Sequence, residues 1–146
     1  MYNEFDALGF GIGLVILVTI IIAVVLIPPI LFFMTLQKSL IRCSPESRTM
    51  EPERILLMFI PIFNLVWQFM VVSNISSSLH NEFNKRGIME DSDPGKSIGI
   101  TYCVLSLCSF IPLIGIIAAL GGFVCWIIYW VKISGYSNKL IQPIMP

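Results

Sequence analysis

Four polar side chains in an otherwise apolar run are the first place to look for chemistry. Asn64, Gln68, Asn74 and Ser78 lie within residues 55–79. At 100° per residue they share one helical face, within an arc of about 120°. Amides and a hydroxyl without a charge do one of two things in an apolar setting: they hydrogen-bond a neighbouring helix, or they line a polar path. The first is the reading adopted here, with a small channel or carrier as the alternative.

Other chemistry is harder to find. His80 is the only histidine and has neither Cys nor His at ligand spacing, so no metal is expected. Pro94-Gly95-Lys96-Ser97 resembles the end of a phosphate-binding loop, but Glu90 stands where the pattern needs glycine. Asn74-Ile75-Ser76 matches a glycosylation sequon in a helix still near the membrane, where it would not be used. Of four cysteines, Cys103, Cys108 and Cys125 lie in one apolar run and only Cys43 in a loop, so no loop-to-loop disulfide is expected. No catalytic residue and no cofactor emerge.

The elements that must position these groups follow from composition. The chain of 146 residues is 56% hydrophobic and 12% charged, with a mean hydropathy of +0.86. Soluble proteins carry about 25% charged residues, so lipid is the implied solvent. Nine basic and nine acidic residues cancel, which sets nucleic acid aside as a partner. Every charge falls outside residues 7–37, 55–79 and 97–131. Proton relays and coupling-ion sites depend on charges within such spans, so their absence speaks against that class of function.

The last run is 35 residues long, roughly 52 Å as one helix at ~1.5 Å per residue, against a hydrocarbon core of about 30 Å. It must fold back, and Phe110-Ile111-Pro112-Leu113-Ile114-Gly115 holds the proline and glycine of a tight turn. The prediction is an all-α, polytopic transmembrane bundle of four helices in a single domain spanning residues 1–146. The helices are expected near residues 7–40, 52–86, 94–111 and 115–133, the last two a hairpin turning at Pro112 and Gly115. Pro28-Pro29 should kink the first helix. Phe59-Ile60-Pro61-Ile62-Phe63-Asn64 echoes the hairpin turn, and either marks a second turn or kinks a long helix; the kink is preferred.

Small residues four apart let helices approach closely, which singles out Gly9 with Gly13, Gly115 with Ala119, and Ala118 with Gly122. Trp126, Tyr129 and Trp130 are expected at a membrane interface, with Lys132 reaching water. Basic residues divide four against five between the two sides of a four-span chain. The flanks of the first helix then favour an outside N-terminus and a cytoplasmic first loop. Four spans also place Cys43 and Asp91 on opposite sides.

Phe59-Ile60-Pro61-Ile62-Phe63-Asn64-Leu65-Val66-Trp67 and Trp126-Ile127-Ile128-Tyr129-Trp130-Val131-Lys132-Ile133-Ser134-Gly135-Tyr136-Ser137 resemble stretches of small bacterial multi-helix integral membrane proteins that form a domain-of-unknown-function family. The resemblance covers most of residues 40–140. It implies a multi-pass protein of the bacterial cell membrane, the inner membrane, and carries over no catalytic residue. The expected role is non-enzymatic: an accessory or interaction subunit whose partners are membrane lipid and other membrane subunits or copies of itself.

Overall fold

A computed structural model describes the backbone of residues 2–90 and 92–141, and side chains from Leu8 onward. Every regular element among the described residues is helical: α1 (Tyr2–Arg42), a 3-10 helix (Pro52–Phe59), α2 (Pro61–Lys85), α3 (Lys96–Cys108) and α4 (Gly115–Lys139). Three stretches are long and apolar enough to cross a membrane, Leu8–Arg42, Pro61–Arg86 and Gly115–Lys139. The expected four spans are therefore not matched. α3 has 13 residues, about 20 Å at ~1.5 Å each, well short of a bilayer core.

The chain forms two compact units, Met1–Phe32 and Phe33–Pro146. The first is a single helix that continues unbroken through Pro28-Pro29. Residues 8–27 are exposed apart from Ala23.

The second unit holds the core, formed by Leu36 and Leu40 of α1, Ile55 and Met58 of the 3-10 helix, Val71, Val72, Ile75, Leu79 and Phe83 of α2, and Tyr129 and Ile133 of α4. Two corrections arise here. The long helix expected over residues 52–86 is two elements, and Pro61 separates them rather than kinking one. A residue before proline is driven out of the helical region, and Ile60 is extended at φ −85°, ψ 108°. Pro61 then opens α2, where its missing N–H costs nothing. The Ile60 N–H closes back on Leu57 O, and the Trp67 indole N–H reaches Arg54 O at 3.0 Å, so the 3-10 helix lies against α2. The echo of the Pro112 motif is thus a second turn.

The second correction is the length of the hairpin arms. α3 occupies 96–108 instead of 94–111, because Gly95 takes a left-handed φ of 77° before it and a non-helical turn follows Ser109. α4 continues to Lys139, beyond residue 133. The hairpin itself is present. Gly115 N–H donates to Ile111 O at 2.8 Å, and a Cβ at Gly115 would lie 2.5 Å from the Ser109 carbonyl oxygen, so the turn closes only over glycine. Leu113 carries a φ of 83° within it.

Candidate functional site

Three helices, α1, α2 and α4, end close together within the second unit. Each C-terminus presents carbonyls without intrahelical donors and a partial negative charge, so cations are needed there. Arg86 supplies one: it donates to Leu140 O at 2.8 Å and to Arg42 O at 3.5 Å, covering the ends of α4 and α1. Its Nε donates to Glu82 Oε1 at 2.7 Å one turn back. Glu82 is nearly inaccessible, and its second oxygen accepts from the Ser44 N–H at 2.8 Å and the Ser44 hydroxyl at 2.7 Å. Arg42 in turn donates to Ser137 Oγ at 2.7 Å and Asn138 Oδ1 at 3.1 Å. The result is a polar clasp that ties three helix ends to the loop after α1.

That loop is fixed along α2. The Thr49 N–H donates to Ser78 Oγ at 2.9 Å and its hydroxyl to Asn74 O at 2.9 Å. Arg48 donates to Cys43 O and Ile41 O, and Lys85 pairs with Glu46 at 2.6 Å. The loop before α3 joins the same end. Lys139 pairs with Glu90, while Asp93 accepts from the Ser97 N–H and hydroxyl and from Ser76 Oγ at 3.4 Å. The Ser97 hydroxyl holds the Asp93 carboxyl below its usual range. Both loops therefore sit at one end of the unit, not at opposite ends as four spans require. Asp91 lies outside the described residues.

The four residues of the polar face go to different places. Ser78 is buried and bonds Thr49 in the loop. Gln68 is buried, but its amide donates to Leu65 O of its own helix at 3.4 Å. Asn74 likewise donates to Met70 O at 2.7 Å. Asn64, at the Pro61 turn, has a buried Oδ1 without a hydrogen-bond partner. One face thus holds one loop contact, two bonds to its own backbone and one open acceptor. Of the small residues, Ala118 and Gly122 are buried, and a Cβ on Gly122 would lie 3.3 Å from Leu105 Cβ, so α3 and α4 approach closely there. Ala119 is exposed, and Gly9 and Gly13 have open space around them. His80 is 3.0 Å from Asn84 Nδ2, and no group of three metal-ligating side chains occurs among the described residues.

Cys43 is buried inside the clasp, and its thiol donates to Ser39 O at 3.3 Å. Burial, and secondarily the nearby Glu82 carboxylate, push the thiol up to about 12. Because the thiolate is the reactive form, Cys43 should label at least tenfold more slowly with a maleimide at neutral pH than a cysteine placed at exposed Glu46. Equal rates under native conditions would show that the loop is not held as described.

The Glu82–Arg86 spacing of four is visible in the sequence; the partners at Ser44, Arg42 and Leu140 are not. Comparison of the chain with protein-family models, with curated proteins and with solved structures returns no match.

Proposed function

We propose that the chain is a non-enzymatic integral membrane protein that serves as an accessory or interaction subunit, in a homo-oligomer or a larger complex of a bacterial cell membrane. The observation that carries this reading is the bare helix of the first unit. Its most apolar window is unburied among the described residues, and Gly9 and Gly13 leave open space where another helix can approach. The clasp supports it from the other side. Glu82 is held by Arg86 and Ser44, and Arg86 also bonds the ends of α1 and α4, which makes the clasp a fixed platform. A second reading, a small channel or carrier, draws on the open acceptor at Asn64.

The test pairs assembly with transport. Native mass spectrometry after mild detergent extraction should recover an oligomer or complex, and Gly9→Ile with Gly13→Ile should reduce its recovery several-fold while the second unit keeps its thermal stability. Asn64→Leu and Gln68→Leu should leave assembly near normal and change no liposome flux. A lone wild-type monomer that moves ions, with flux abolished by Asn64→Leu, would replace the subunit reading with the channel.

A further inference from the structure

The two turns of the second unit carry side chains that no contact within the unit explains. Ile62 is 85% exposed, Phe110 71% and Leu113 100%. Leu113 also sits at φ 83°, a conformation that costs a non-glycine residue of this size and that glycine adopts freely. Among the described residues this strained leucine packs against nothing, which points to a surrounding outside them.

Lengths say what that is. The Thr49 hydroxyl bonds Asn74 O, which marks the level of the loop on α2, and from there to Pro61 is about 20 Å at ~1.5 Å per residue. On the other hairpin, Gly95 lies beside Ile133, and Gly115 is about 27 Å further along α4. The first depth falls short of a hydrocarbon core of about 30 Å, and the second stops just inside its far edge. Pro61 and Pro112 carry no N–H, and the N–H groups of Ile60, Asn64, Ile111 and Gly115 bond carbonyls at the turns. Beside the second turn, Ser109, Phe110, Pro112, Leu113, Ile116 and Ala119 line an open concavity of about 520 Å³, wide enough for an acyl chain.

Charge completes the argument. Every Lys and Arg in the chain lies in residues 38–54, at 85–86, at 96, or at 132 and 139. The clasp and its two loops hold Arg42, Lys85, Arg86 and Lys139 at the end away from both turns, and neither turn carries a Lys or Arg. A four-span count of four against five becomes nine against none. Short loops rich in Lys and Arg stay cytoplasmic, where the leaflet surface is anionic.

The geometry points to two re-entrant hairpins that enter from the cytoplasmic face and turn inside the hydrocarbon, with the clasp seated on the anionic cytoplasmic leaflet. The 3-10 helix with α2, and α3 with α4, are then hairpins dipped from one side rather than crossings. This placement stands whether or not the chain joins a complex.

An impermeant thiol reagent tests it, applied to intact cells and to inverted membrane vesicles, with single cysteines in a chain whose native cysteines are replaced by alanine. Glu46→Cys and Met89→Cys should label only in inverted vesicles, and Ile62→Cys and Leu113→Cys in neither until detergent is added. Tip labelling from either side, loop labelling from opposite sides, or loop labelling in intact cells would each overturn the proposal. A second arm leaves the native cysteines in place. Leu113→Asp and Ile62→Asp should each shift the folding equilibrium in phosphatidylethanolamine and phosphatidylglycerol vesicles about a hundredfold toward the unfolded form, the scale of a charge deep in a bilayer. An effect under twofold would place the tips in water and remove the idea.

Discussion

Glu82→Ala should destabilise the second unit by on the order of 3 kcal/mol, read as a fall in the thermal unfolding midpoint in mild detergent of roughly 10 °C. The size follows from what the change strands. Arg86 would keep its guanidinium against the α1 and α4 ends without a carboxylate, and the Ser44 N–H and hydroxyl would lose their acceptor. Removing one partner of a buried pair leaves an uncompensated charge, whereas removing both need not. Glu82→Leu with Arg86→Met should therefore cost clearly less than the sum of the single changes. Glu82→Gln should fall between, since an amide still accepts from Ser44 but presents no charge to Arg86. If Glu82→Ala proves neutral while the fold is intact, the clasp does not hold the helix ends together.

Much of this architecture is written locally. The three charge-free runs and the turn at Pro112 and Gly115 come from residue types and spacing alone. The Pro61 turn was misassigned although its motif matches the Pro112 turn, because an apolar pattern of helical period continues across it and makes one long helix the economical reading. What decides against that is tertiary: the loop after α1 must reach Asn74 and Ser78 at the far half of α2, so the chain has to return along α2 before starting it. No short-range pattern encodes that return. The clasp is hidden for the same reason. Ser44 and Glu82 are 38 residues apart, and Arg86 and Leu140 are 54 apart, so their pairing exists only once three helix ends have converged. A count of cations by side depends in the same way on the number of crossings, which four-span counting took as given. The shared face of Asn64, Gln68, Asn74 and Ser78 was legible as geometry, but its bonding was not, since Gln68 and Asn74 donate to carbonyls of their own helix.

Gly99→Ala is expected to cost about 1–3 kcal/mol, a large effect for one methyl group. Gly99 lies where α2, α3 and α4 meet. A Cβ there would sit 2.5 Å from Val72 Cγ1 and 2.8 Å from Tyr129 Cε2, and both of those side chains are buried. Neither neighbour can step aside cheaply: valine is stiff at χ1, and the tyrosine ring is packed on all sides. The helices themselves would have to separate. Val72→Ala removes the nearer obstacle, so in that background Gly99→Ala should cost less, with a coupling of about 1 kcal/mol and only partial recovery because the tyrosine contact remains. Gly135→Ala is the matched control. It lies within α4 with open space around its Cβ, so it should be neutral or stabilising by up to about 1 kcal/mol from helix propensity alone. Equal effects at Gly99 and Gly135 in denaturant titrations would mean that the three helices do not meet at Gly99. A large loss at Gly99 alone, relieved by Val72→Ala, ties the stability of the unit to this crossing.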